Sequence, residues 1–379
     1  MKRSAVAILG VVVVAAAIGL ALGLSGGSGG GNPASRGTTP SVPSSSRVQQ
    51  PGNAKTGTQL GVDIWWRNSR TMDTPAHTAR ESQNIVRYVV SVLHANAVSL
   101  CFPIYTPTLT SDSVFTTSAT PSTAEVGTFV RTAEKAHLAV SFRPLLNVGA
   151  SGYEFRGHMH PANLNTFFAS YVNAIRPYLR LAQNSHLATF VYASELWDLS
   201  INRATVAAWS SFVSGMKRYY HGSLEYDSSG KPWYTGQVVV PGFSDYADAY
   251  FPVAGAGPST SEQTLYSAWT QLLSPLPASE LHRTVLQEVG FAAIPTGYQR
   301  PSTVISGHTN VKYLPMEGQW FDMVCNVVRH FHLAGVYFWT IYFNSDPFIH
   351  VPQGQMDPTT WVGRPGASAI ASCFESLGG

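Results

Sequence analysis

From Leu60 onward, short runs of β-branched and aromatic residues alternate with longer stretches of helical period, and the alternation repeats eight times. That pattern predicts parallel strands joined by crossover helices. Strands are expected at residues 61–66 (GVDIWW), 97–102 (AVSLCF), 138–145 (LAVSFRPL), 187–194 (LATFVYAS), 224–227, 247–251, 284–289 (TVLQEV) and 335–341 (GVYFWTI). Helices are clearest at 75–95, 123–136, 161–184, 204–220, 261–273 and 317–332. Their starts are marked by Pro121, Ser122 and Thr123 with Glu125, and by Pro161, residues that a first helical turn uses or tolerates. Between the fifth and sixth strands, SSGKPWYTGQVVVPGFSDY has no clean helical period. Eight strands in this order imply an α/β fold, a (β/α)8 TIM barrel, with catalytic groups where strands end and βα loops begin.

The barrel is expected over residues 59–379 of the 379-residue chain. Before it, Lys2 and Arg3 precede an apolar run from Ala5 to Leu24, long enough to cross a hydrocarbon layer of about 30 Å as one helix. The cationic start orients the remainder outward, so residues 1–24 are expected to be a signal peptide or a signal anchor, and the domain extracytoplasmic. ALGLSGG is a poor cleavage site, which favours the anchor, and no Cys follows the run to carry a lipid. Residues 25–58 are Gly, Ser, Pro and Thr with scattered charges, a composition that cannot bury enough surface to fold and predicts a flexible linker. A net charge of +3 among 12% charged residues is too small and dispersed for a nucleic-acid partner. Nine Trp and seventeen Tyr suit a surface that grips sugar rings, although most must fill the core. Membrane contact is expected only through the N-terminal segment, and the chain as a monomer. Cys325 and Cys373 fall on the last two barrel helices, which would be neighbours and could be bridged, whereas Cys101 lies in a buried strand.

Two acids stand at strand ends: Glu195 in VYASELWDL after the fourth strand and Glu288 in TVLQEVGFAA at the end of the seventh. A carboxylate enters an apolar run only with a partner or a task, because burying it unpaired costs several kcal/mol by order of magnitude. Each could pair with an arginine such as Arg143 and brace the barrel mouth. Alternatively, a protonated and an ionised carboxyl about 5–5.5 Å apart cleave a glycosidic bond with retention.

These motifs, with FRPLLNV at 142–148, DAYFPV at 248–253, QEVGFAAIPTGYQRP at 287–301 and GVYFWTIYFNSDP at 335–347, resemble the strand-end motifs of glycoside hydrolase family 113. The resemblance runs from about Leu60 to Glu375. It implies a retaining barrel with Glu195 as acid/base and Glu288 as nucleophile, acting on a β-mannan polysaccharide in endo fashion. Two departures bear on the sugar: Ser194 stands where relatives in the wider clan place an asparagine that holds the 2-hydroxyl, and LEYDSSGK lacks the amide and aromatic pair expected after strand five.

Supporting roles follow from position. Trp339 in the eighth strand could floor the cleft, and Tyr250 could donate its phenolic proton to Glu288. Arg143 and Asn147 close the third strand; Arg143 either holds one acid charged or pairs with Asp63. Trp65, Trp66 and Arg67 end the first strand, where alternation lets only one Trp face the cleft, and Tyr105 follows the second. His158 and His160 in RGHMHP could chelate zinc, but no supporting acids or second His-rich strand end accompany them. A sugar contact from His158 is expected instead, with neither metal nor organic cofactor. A glycan-binding barrel without catalysis, and a transglycosylase sharing the covalent step, remain open; product release and product length distinguish them.

Overall fold

The computed structural model describes residues 57–68, 74–149, 154–303, 313–350 and 360–378. The apolar run at 5–24 and all of the linker except residues 57 and 58 lie outside the described residues. Among the described residues, no helix is long and apolar enough to cross a membrane.

All eight expected strands form. They are β1 Gln59–Trp65, β2 Ala97–Thr106, β3 Ala139–Val148, β4 Thr189–Ser194, β5 Ser223–Ser229, β6 Tyr246–Asp248, β7 Val285–Val289 and β8 Gly335–Tyr342. Every neighbouring pair is parallel, and β8 returns to β1 to close the barrel. The α-helices are α1 Pro75–Ser91, α2 Thr123–Lys135, α3 Leu164–Asn184, α4 Trp197–Ser200, α5 Val206–Lys217, α6 Gly230–Tyr234, α7 Glu262–Leu273, α8 Ala278–Leu281, α9 Leu314–Phe331 and α10 Pro365–Leu377.

Side-chain alternation along each strand divides the core in two. Outward-facing residues such as Val62, Ile64, Leu100, Phe102, Phe142 and Phe190 join the helices in one apolar cluster. Inward-facing residues form layers. Ala97, Val191, Tyr246, Val285 and Tyr337 make an apolar floor, and a β-carbon on Gly61 would collide with the Tyr337 ring that crosses it. Trp65, Cys101 and Leu145, with Trp339 and Tyr342 against them, make an apolar rim. Along β1, Asp63 lies between Gly61 of the floor and Trp65 of the rim, so a polar layer separates the two.

Local chemistry sets the boundaries. Ser122 and Glu125 close a capping box at the start of α2, each side chain bonding the other's backbone N–H. Helix α3 starts at Leu164 rather than Pro161, because Asn163 accepts from Thr166 N at 3.0 Å and takes the N-cap. Strand β6 stops at Asp248, short of the expected 251: the ladder shifts register there, and Pro252 has no N–H to extend it. Only the five-residue α6 occupies the β5–β6 connection, where Gly236 and Gly242 turn the chain with φ of 64° and 74°.

Helices α9 and α10 are joined twice. Cys325 and Cys373 form a disulfide with Cα atoms 5.6 Å apart. Glu317 and Arg364, both buried, pair at 2.6 Å, and Glu317 also accepts from Gly366 N at 3.3 Å. The bridge closes a loop of sequence separation 48, so replacing both cysteines by serine is expected to lower stability by about 4 kcal/mol in denaturant titrations. The unfolded, unreduced chain should present one titratable thiol, that of Cys101, where three would mean no bridge.

Candidate active site

The polar layer is built around one guanidinium. Arg143 rises from β3 with no exposed surface. Its Nε donates to Asp227 Oδ2 at 2.9 Å, and its Nη2 reaches Asp227 Oδ2 at 2.5 Å, Asp248 Oδ1 at 2.7 Å and Ser194 Oγ at 2.9 Å. Its Nη1 donates to Glu288 Oε2 at 2.5 Å. The alternative pairing with Asp63 does not form, and Asp63 Oδ1 instead accepts from the Cys101 thiol at 3.3 Å. Burial works against the charge on Arg143, but Asp227, Asp248 and Glu288 outweigh it and hold the guanidinium pKa well above its usual value.

Glu288 is gripped on both oxygens. Arg143 holds Oε2, while the Tyr250 hydroxyl donates to Oε1 at 2.5 Å. Tyr250 can reach inward because the chain has left the β6 ladder; the bond from Ala249 N to Glu288 O, 2.7 Å, fixes the crossing point. Burial and the adjacent negative charge of Glu288 push the Tyr250 phenol well above its usual pKa, so it remains a donor.

Glu195 lies one residue beyond β4, with φ of 54° in the left-handed region. A non-glycine residue there carries roughly 1–2 kcal/mol of backbone strain, held in place by the bond from its N–H to Asp227 O at 2.9 Å. The turn buries the carboxyl at the mouth, where Oε2 accepts from Arg156 Nη2 at 2.9 Å. Burial, opposed by Arg156 and reinforced by the charges of Glu288 and Asp227, raises the Glu195 pKa to about 7.

The remaining expected residues divide. Trp65 and Trp339 face each other at the rim, with ring centroids 5.8 Å apart and planes tilted 46°, whereas Trp66 turns outward and stacks on Phe343. The Trp339–Thr340 peptide bond is cis. Tyr105 and Asn147 pair in register at the ends of β2 and β3, and Tyr105 stacks on the exposed Phe115. The Ser194 hydroxyl is already engaged, accepting from Arg143 and donating to Asp227 Oδ2 at 3.0 Å. His158 is exposed and pairs with Asp198 at 3.2 Å, away from both glutamates' bonds. Arg67 is half-buried past β1, and its carbonyl accepts from Asn344. Sequence reasoning missed Arg156, Asp227 and Asp248. Both aspartates end or nearly end strands, the same signal that singled out the glutamates, and Arg156 lies two residues before the His158 that drew attention to its loop. Among the described residues, no group of three or more His, Cys, Asp or Glu is arranged to hold a metal ion.

A parallel eight-stranded barrel with two buried carboxyl groups at strand ends is compatible with the class of (β/α)8 glycoside hydrolases. The model of Glycoside Hydrolase Family 113 matches residues 70–276, more than half of the chain, and the chain belongs to that family. No curated protein matches it in sequence. Among solved structures it is similar to a GH113 β-1,4-mannanase in complex form (TM-score 0.69, 14% identity, covering 85% of this chain and 100% of that one). It is also similar to the GH113 β-mannanase AaManA from Alicyclobacillus acidocaldarius in complex with ManMIm (TM-score 0.66, 14% identity, 85% and 99% covered). A β-glucuronidase from Ruminococcus gnavus shares the fold more distantly (TM-score 0.52, 11% identity, 85% and 50% covered).

Replacing Arg143 by methionine would leave Asp227, Asp248 and Glu288 buried without their cation. The expected loss is about 3–5 kcal/mol of unfolding free energy in urea.

Proposed function

We propose that the chain is a retaining glycosidase acting on β-linked mannan in the manner of an endo-β-1,4-mannanase, with Glu195 as acid/base and Glu288 as nucleophile. The observation that carries this reading is the unequal environment of the two carboxyls. Glu288 accepts a short hydrogen bond on each oxygen, from Arg143 and from Tyr250, which together fix the orientation of its carboxyl. Glu195, its pKa near 7, can hold a proton at neutral pH.

In this reading Glu195 gives its proton to the glycosidic oxygen as Glu288 attacks the anomeric carbon, forming a glycosyl ester and freeing the leaving sugar. Glu195, now ionised, takes a proton from water, which attacks the same carbon and releases Glu288. Trp65 and Trp339 supply an apolar face for the ring, with Tyr105, Asn147 and His158 nearer the sugar's edges. The mannan preference follows the printed substrates of the family 113 structures that the chain resembles. Ser194, engaged with Asp227 and Arg143, leaves recognition of the 2-hydroxyl to another group. The N-terminal apolar run would carry the enzyme to the outer face of a membrane, where its polysaccharide lies.

Glu288→Gln and Glu195→Gln are each expected to lower kcat on soluble mannan by roughly 10³-fold or more, with the first-formed product retaining the β configuration by NMR. Wild-type turnover in Glu288→Gln, tested also on glucan and xylan, would end the assignment. A raised carboxyl pKa means that the active, protonated form of Glu195 is present below that pKa and is lost above it. kcat/KM should therefore fall as pH rises through about 7, following the Glu195 value, and this limb should be absent from whatever activity Glu195→Gln retains.

A further inference from the structure

Among the described residues, five large apolar side chains are exposed: Val90, Val92, Phe115, Phe348 and Ile349. Val90 and Val92 lie at the end of α1, and Phe348 packs on the same helix, with the Arg87 guanidinium 4.4 Å from its ring and Tyr88 edge-on at 5.4 Å. Phe115 differs from them in place and in support. It stands in the connection between β2 and α2, one of the βα loops that gather at the catalytic end of a barrel, and the mechanism above gives it no part.

The ring is exposed although its backbone is fixed. Phe115 and Tyr105 form an antiparallel bridge, each N–H donating to the other's carbonyl, at 2.9 and 2.8 Å. The neighbouring Val114 is buried, and its N–H and carbonyl both bond the Ser170 hydroxyl, at 2.8 and 3.0 Å. Asp112 accepts from Asn163 N at 2.7 Å, and Thr120 Oγ1 donates to Pro103 O at 2.8 Å, so the loop is tied both to the start of α3 and to β2. A ring 41% exposed on so fixed a backbone meets water at a cost that a ligand's apolar face would relieve, with little backbone freedom left to lose on binding.

The neighbours of the ring set the kind of ligand. Phe115 stacks on Tyr105, with centroids 6.3 Å apart and planes 27° from parallel. Tyr105 pairs in register with Asn147, and strand alternation turns both side chains inward, past the rim of Cys101 and Leu145. Asn147 is 5% exposed and its side-chain amide makes no hydrogen bond among the described residues; the buried Tyr105 hydroxyl has no partner either. An amide offers a donor and an acceptor together, which matches a sugar hydroxyl. Residues 107–122 carry a single charge, Asp112, already engaged by Asn163 N. An apolar face beside neutral hydrogen-bonding groups suits a neutral pyranose rather than a uronate or a phosphate. Tyr105 and Asn147 lie four residues past Cys101 and Arg143 in their strands, about 13 Å at the usual rise, so the place is outward of the layer that holds Glu288.

We propose that Phe115, with Tyr105 and Asn147 beside it, forms an outer subsite that takes a neutral pyranose of the glycan chain beyond the sugar being cut. Phe115 is thereby a specificity-determining residue, favouring long chains over dimers. The inference rests on the glycosidase reading for the nature of that chain, and its test includes an arm that needs no turnover.

In the binding arm, the full chain carrying Glu288→Gln is titrated calorimetrically with manno-, cello- and xylo-oligosaccharides of two to six units, with and without Phe115→Ala. In whichever series binds, Phe115→Ala should weaken the hexaose by about three- to tenfold and the disaccharide less, and Phe115→Trp should restore the affinity. Phe348→Ala, an exposed ring on α1, should leave the dependence on length unchanged. In the turnover arm, with Glu288 intact, the same loss should appear in KM for the hexaose while kcat stays close to wild type, because a contact made equally in the bound and transition states alters binding alone. Equal losses on disaccharide and hexaose, no loss on the hexaose, or failure of all three series to bind would overturn the proposal. Phe115-dependent binding without turnover by the wild-type chain would overturn the hydrolase reading and leave the subsite standing. Since the ring is exposed, Phe115→Ala should melt with the wild type; a lowered Tm together with a loss independent of length would mark Phe115 as structural and refute its role in binding.

Discussion

A single buried cation organises the interior of this barrel. The Arg143 guanidinium ties β3 to β5, β6 and β7 through Asp227, Asp248 and Glu288, four strands that share no local sequence. A planar fork with five donors suits this work in a way that an ammonium would not, because each edge meets a different carboxyl. The barrel ladder brings the strands together, but the guanidinium decides which way their acids point. Above it lies the apolar rim of Trp65, Leu145 and Trp339 and below it the Tyr337 floor, and between them Arg143, Asp227 and Asp248 have almost no exposed surface. Low local polarity strengthens every bond in between and makes an unpaired acid there costly.

The two glutamates take opposite characters from this arrangement. Glu288 sits inside the reach of Arg143 and Tyr250, while Glu195 is held outside it by a left-handed turn and pairs with Arg156. Chemically identical side chains are thereby made different by their surroundings. The strain of the turn at Glu195 has a structural counterpart in its backbone bond to Asp227, so the residue that anchors Arg143 also anchors the second acid.

Much of this was legible in the chain. β-Branched runs separated by helical periods gave all eight strands, since a buried parallel strand needs that composition along its whole length. Glu195, Glu288, Arg143 and Tyr250 stood out because charged or phenolic groups at apolar strand ends need a reason to be there. Helix order made a bridge between Cys325 and Cys373 possible, and the structure forms it. What escaped was cooperative in nature. Asp227 looked like a departure from an expected amide, and Asp248 like one letter of DAYFPV, because neither has a partner close in sequence: Arg143 is 84 and 105 residues away. The short β6 and the late start of α3 depended on a register shift and on a side-chain cap, which hydrophobic periodicity does not report.

The outward turn of Trp66 has a wider consequence. Because alternation sends one tryptophan of the pair into the mouth and the other against Phe343 in the helical shell, the cleft wall and the packing behind it are consecutive links of one rigid strand. A change of ring at the first position can be absorbed by a ligand, but a change at the second displaces the strand itself. Varying sugar preference in this scaffold is therefore a matter of redecorating rim loops, while the wall that carries them behaves as masonry.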